Sequence, residues 1–165
     1  MANGKDPIET AVESAKQAGG GASGPMTVDT ARKKGLELVE KSGIAYLGSI
    51  GKDGAPSIKA FMKAETEGLK TVWFSTNTSS RRVADLRRNP RCCVYFCDET
   101  RFKGLMLSGT ATVRTDAEAR KRLWRDGCEI YYPKGVDNPD YSVIEFTAET
   151  ANYYEGLSNL TFPAK

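Results

Sequence analysis

The chain has 165 residues, about one domain's worth, with 39% hydrophobic and 27% charged residues, which is ordinary composition for a folded protein. Twenty-four Lys and Arg against 21 Asp and Glu leave a formal charge of +3. That surplus is too small for a general polyanion-coating protein, so any bound anion must be met by a local cluster. There is no His, which excludes His-based catalytic triads, His-ligated zinc or non-haem iron, and haem held by an axial His.

Residues 1–25 read as a flexible N-terminal tail: a short helical stretch over 7–18, then Gly19-Gly20-Gly21-Ala22-Ser23-Gly24-Pro25, whose glycines lose too much backbone entropy on ordering to hold regular structure. The folded domain is expected over 26–165. It opens with a helix over 27–41, capped by Asp29 or Thr27, with Ala31, Leu36, Leu38 and Val39 as its apolar face and Ser42-Gly43 as its stop.

From Ile44 the apolar period falls to about two. Strands are predicted at 44–50 and 56–64, joined by the tight turn Gly51-Lys52-Asp53-Gly54, and Glu65-Thr66-Glu67-Gly68 turns the chain into a third at 71–76. A helix over 79–88 is closed by Asn89-Pro90, because a residue before proline is pushed out of the α region. Strands at 91–97 and 105–114, a helix over 116–124 with Asp116 able to cap it, and a strand at 141–146 complete the domain. Short connections between six strands rule out parallel crossovers, so the expected fold is α+β and mainly β, an antiparallel barrel with helices at its edge.

The four cysteines, Cys92, Cys93, Cys97 and Cys128, have neither the spread of a disulfide framework nor the paired spacing of a zinc site. They read as reduced core residues, and no metal is expected. There is no 18-residue apolar stretch and no basic start leading into an apolar run, so a cytoplasmic location without membrane contact is expected.

The chemistry concentrates in Val72-Trp73-Phe74-Ser75-Thr76-Asn77-Thr78-Ser79-Ser80-Arg81-Arg82-Val83. A strand here runs into a hydroxyl-rich turn and then a helix that begins with two arginines. Open backbone N–H groups, the positive end of the helix dipole and two guanidinium groups suit a phosphate monoester. A Ser-capped helix with a solvated basic face is the plain alternative. Upstream, Pro56-Ser57-Ile58-Lys59-Ala60-Phe61-Met62-Lys63 places Lys59, Phe61 and Lys63 on one strand face, against which a flat electron-accepting ring could lie. A barrel strand with one solvated face has the same pattern.

Taken in order, "PSIKAFM", "VWFSTNTSSRRVADLRRNP", "CCVYF", "LSGTATVRTD" and "RLW", followed by Pro133-Lys134-Gly135-Val136-Asp137, resemble the FMN-binding split-barrel superfamily that includes pyridoxamine 5′-phosphate oxidase. Within it the sequence is most similar to the general stress protein subgroup, and the resemblance runs over residues 27–154. It implies a six-stranded split barrel, a homodimer, and FMN in a groove at the dimer interface. Carried over by position, it implies that Lys59, Ala60, Phe61 and Met62 line the isoalloxazine, that Ser75 and Thr76 lie near the ribityl chain and phosphate, and that Ser80, Arg81 and Arg82 hold the phosphate. The oxidase has an arginine in the ring-binding strand where this sequence has Ser57 or Lys59. It also grips its substrate with a C-terminal Trp, Arg and His, whereas this chain runs Tyr153-Tyr154-Glu155-Gly156-Leu157, so oxidation of vitamin B6 phosphates is not expected.

The function so implied is that of an FMN flavoprotein passing electrons from NADH, NADPH or another reductant to an acceptor that the sequence does not name, with no residue announcing itself as a catalytic acid or base. A non-catalytic holder of flavin or deazaflavin, serving a stress response, is the alternative, and the same grip would serve FMN, FAD or a deazaflavin. Arg81, Arg82, Arg87, Arg88 and Arg91 could follow a nucleic acid backbone, but helical geometry spreads them and no aromatic residues interleave, so that partner is not expected. Trp124, Tyr131 and Tyr132 could either cover a flavin ring or fill the core.

Overall fold

The computed structural model describes residues 6, 8–10, 12–13, 16, 25–63 and 65–165. Of the stretch expected to be helical over 7–18, residues 8–10, 12–13 and 16 are helical, and 19–24 of the glycine tract lie outside the described residues. No described helix is long and apolar enough to cross a membrane.

Helix α1 spans Val28–Lys41. Thr27 is its cap, the hydroxyl accepting from the Thr30 N–H at 3.2 Å, with Asp29 in the first turn and Lys41 in the last, as the helix dipole favours. Its buried face is Ala31, Gly35, Leu38 and Val39. Leu36 is partly buried and packs against the same core, and at Gly35 a Cβ would stand 3.2 Å from Leu105 Cδ1, so the helix backbone lies close to the sheet there.

The strands are β1 (Ile44–Ile50), β2 (Pro56–Met62), β3 (Glu65–Glu67), β4 (Thr71–Asn77), β5 (Arg91–Asp98), β6 (Lys103–Arg114), β7 (Tyr141–Glu155) and β8 (Ser158–Pro163). All pairings are antiparallel, in the order β2-β1-β5-β6-β7-β4-β3 with β8 also on β7. The sheet therefore has eight strands where six were expected. β3 is too short to show a period, and β8 carries few apolar residues and ends on Pro163, which an edge strand tolerates. β7 continues nine residues past its expected end at Phe146. Its first half pairs with β4 and its second half with β8 along the same edge, while β6 follows it throughout past a bulge at Ser108/Gly109.

Two further helices, α2 (Arg81–Arg88) and α3 (Ala117–Leu123), begin at the caps Ser80 and Asp116, each of which accepts the backbone N–H three residues on. Two apolar clusters result. The larger fills the curled sheet under α1 and α2, with Leu47, Phe61, Phe74, Phe96, Leu105 and Phe146 among its members. The smaller gathers Trp73, Leu123, Tyr132, Tyr141 and Val143 under α3. Strand β4 supplies both, Phe74 facing one and Trp73 the other, which is why its burial does not alternate.

Candidate functional site

The two segments singled out in the sequence, about twenty residues apart, meet in the structure. Phe61 on β2 is buried with its ring centroid 5.1 Å from that of Phe74 on β4, and the Arg82 guanidinium lies over the Phe61 ring at 4.4 Å. The start of α2 is thus laid against β2. Among the described residues β2 ends the strand order and pairs only with β1, so its other edge presents backbone donors and acceptors beside this contact.

The electrostatics of this corner are lopsided. Whereas α1 and α3 carry Asp29 and Glu118 in their first turns, α2 has no acidic residue there and begins with Arg81 and Arg82. Positive charge at the positive end of a helix is unfavourable. Burial, and then the neighbouring Arg81 charge, lower the Arg82 pKa. Neither arginine has an acidic partner among the described residues, whereas Arg88 pairs with Asp85 at 3.1 Å and Arg91 with Glu149 at 3.8 Å. The Ser80 hydroxyl accepts from Val83 N–H at 3.3 Å and keeps its own proton to donate, and the N–H groups of Arg81 and Arg82 precede the intrahelical ladder. An uncompensated pair of cations with open donors beside it has the chemistry to receive an anion.

The other expected site residues divide. Lys59, Ala60 and Met62 are exposed; Lys59 shares the inner face with Phe61, while Ala60 and Met62 lie on the outer one. Lys63, expected beside Lys59 on the ring-facing side, instead turns its ammonium to the end of α1, donating to the Val39 and Glu40 carbonyls. Thr76 is buried on the Phe74 side of β4. Ser75 faces the smaller cluster, its hydroxyl 3.3 Å from the Tyr141 hydroxyl. The structure therefore brings Phe61, Phe74 and Arg82 into contact, with Ser80 and Arg81 beside Arg82 at the start of α2 and Thr76 on the Phe74 face of β4, while Ser75 lies on the opposite face of that strand.

Asp140 was not visible as a site residue in the sequence. Its carboxylate accepts from Ser79 N–H at 2.7 Å and from Asn77 Nδ2 at 2.9 Å, and its carbonyl accepts from Thr78 N–H at 2.8 Å. The hydrogen bonds from Asn77 and then Ser79 hold its carboxyl below the usual range. It lies some sixty residues downstream, and its only local signal is the Asn138-Pro139-Asp140 turn. Tyr132 and Trp124 pack with Tyr141 at centroid distances of 4.7 and 5.2 Å, so they are core, while Tyr131 stays exposed. The four cysteines are free and partly buried, and burial pushes the Cys92 thiol up to about 12.

A mainly antiparallel sheet curled into a half-barrel with helices packed on it defines the split-barrel class. Residues 31–155 match the family described as pyridoxamine 5′-phosphate oxidase, and the chain belongs to that family. No curated protein matches. Among solved structures, the chain is similar to a Clostridium acetobutylicum protein related to general stress protein 26 of B. subtilis, of the pyridoxinephosphate oxidase family. The two are 47% identical over 83% of this chain and 96% of that one, with a TM-score of 0.76. The general stress protein 26 of Bacillus anthracis (17% identity, 79% and 98% coverage, TM-score 0.65) and a haem-binding protein of Mycobacterium smegmatis (15%, 84% and 60%, 0.67) share the fold.

Proposed function

We propose that the chain is an FMN-binding flavoprotein that works as a homodimer and passes electrons from a nicotinamide-type donor. The observation that carries this reading is the uncompensated Arg82 guanidinium, held over Phe61 beside Arg81 at a helix start and next to a free strand edge. A phosphate fits the first feature, and a flat ring with polar edges fits the second. FMN carries both groups in one molecule.

Bound FMN would supply hydride acceptance and electron transfer; the chain supplies grip, orientation and exclusion of water. Arg81 and Arg82 hold the phosphate and Ser80 donates to it. Lys59, exposed on the edge strand, brings positive charge to the ring's rim. Dimerisation is supported by the outer face of the sheet, where Ile58 (70% exposed), Met62 (75%), Ile44, Tyr46, Ile50 and Met106 form an apolar area across β2, β1 and β6. A second copy of this chain seated on that face would bury these apolar side chains. The reading does not extend to oxidation of pyridoxamine 5′-phosphate, because no His is present to grip that substrate.

The test compares Arg81→Ala with Arg82→Ala against Arg87→Ala with Arg91→Ala, which removes equal charge and spares the Arg88 partnership with buried Asp85. The first pair should raise the FMN dissociation constant roughly 30- to 1,000-fold and riboflavin's far less, as expected for two charge-assisted contacts. Equal losses from both pairs would place the phosphate elsewhere. Reduction of the bound flavin by NADH or NADPH faster than free FMN separates an oxidoreductase from a flavin holder.

A further inference from the structure

We infer that Asp140 is a positioning residue for the phosphate grip, setting the 77–80 turn so that the donors at the start of α2 converge on one point. The inference rests on the FMN reading above and adds to it a residue from a different part of the chain.

The turn that carries the chain from β4 into α2 has one internal backbone hydrogen bond, Ser80 N–H to the Asn77 carbonyl at 3.1 Å. Three further hydrogen bonds run from it to Asp140, from the Asn77 side chain, the Thr78 N–H and the Ser79 N–H. Asp140 is itself set by its own N–H donating to Asn138 Oδ1 at 3.0 Å, and Tyr141 N–H donates to the Asn138 carbonyl at 2.9 Å at the head of β7. The Asn77 amide is oriented from both sides, since its Oδ1 accepts from the Tyr132 hydroxyl at 3.4 Å while its Nδ2 donates to Asp140. A chain of contacts therefore runs from the smaller aromatic cluster through Asn77 and Asp140 to the helix start.

The choice of partners is informative. Among the described residues the Asp140 carboxylate bonds only neutral donors, and neither Arg81 nor Arg82 has an acidic partner. Asp140 thus orders the turn and leaves the cations available. Its negative charge also disfavours a nearby phosphate, so the two effects have opposite signs on removal: lost order weakens FMN binding, and lost repulsion strengthens it. The Thr78 N–H bond to the residue 140 carbonyl survives loss of the side chain, and the two side-chain hydrogen bonds, from Asn77 Nδ2 and Ser79 N–H, outweigh one screened charge at a partly exposed position.

The experiment measures FMN and riboflavin dissociation constants for the full chain, wild type, Asp140→Ala and Asp140→Asn. The expected result is a loss of FMN affinity of roughly 10- to 100-fold in Asp140→Ala with riboflavin changed less than about threefold. Asp140→Asn should lie between, because its carbonyl can still accept from Ser79 N–H while its amide meets the Asn77 amide donor to donor. A variant whose FMN affinity equals or exceeds the wild type's, or whose FMN and riboflavin affinities fall together, overturns the inference. If Asp140→Ala does not fold, Asp140→Asn carries the same comparison. A wild-type chain that binds riboflavin as tightly as FMN sinks the phosphate reading itself, which is a different result from either variant's.

Discussion

Arg82 gathers in one side chain the physical tensions of the site: it is half-buried, stands at the wrong end of a helix dipole, and has an aromatic face where an acid would be expected. The Phe61 ring offsets part of that cost through its negative face, worth about 0.5–2 kcal/mol in such geometry. Phe61→Leu keeps most of the volume and removes the ring. It should lower stability by about 1–2 kcal/mol in denaturant titration, by lost packing on Phe74 and lost cation–π attraction. It should also weaken FMN more than riboflavin, because Arg82 loses the surface that aims it. An unchanged ratio of the two affinities would mean that Arg82 is oriented by other contacts.

At the scale of elements, the attachment of α1 is electrostatic as well as apolar. Glu155 at the end of β7 receives Lys34 of α1 at 2.5 Å and Lys103 of β6 at 2.6 Å, and its side chain is 16% exposed. Burial pushes its carboxyl up, but the hydrogen bonds and charges of Lys103 and Lys34 outweigh that and hold it below its ordinary 4.5. A depressed carboxyl contributes stability above its unfolded value and loses it as pH falls through the folded one. Glu155→Gln should therefore cost about 1–2 kcal/mol at pH 7, between an exposed and a buried pair, and should flatten the acid limb of the stability curve below about pH 4.5. Thermal melts at pH 7 and pH 4 measure this; parallel pH dependences in the two proteins would remove Glu155 from the account.

For the whole molecule, the proposed dimer rests on the outer face of the sheet. Its cross-strand rows, Met62 beside Ile44 and Ala60 beside Tyr46, Tyr95 and Met106, make a continuous apolar surface. The backbone is kept close there: a Cβ at Gly104 would stand 2.3 Å from Tyr154, whose hydroxyl meets that of Tyr95 at 2.6 Å. Ile58→Glu with Met62→Glu should turn a dimer of 18.0 kDa chains into monomers in sedimentation, since charges at the centre of an apolar interface are left without partners. Flavin content should fall with it. A double variant that remains dimeric would place the interface on another face.

Local chemistry in the sequence determined much of this. The hairpin around Gly51–Gly54 and the cap Asp116 are where the sequence placed them, Thr27 is the one of its two cap candidates that caps α1, and α2 begins at Arg81 after the cap Ser80, two residues later than the expected start at Ser79; all express preferences within a few residues of themselves. The strands that escaped notice, β3, β8 and the far half of β7, lack a strong period of their own and exist through pairing with neighbours, which is a long-range energy. The same division runs through the site. A strand–turn–helix with two arginines was legible because its chemistry is contiguous, but the stacking of Arg82 on Phe61, the turning of Lys63 to α1 and of Ser75 to Tyr141, and the reach of Asp140 across some sixty residues depend on which face of each element meets which other. Only the closing of the sheet decides those encounters, because side chains far apart in sequence have no interaction energy until packing brings them within a few ångströms.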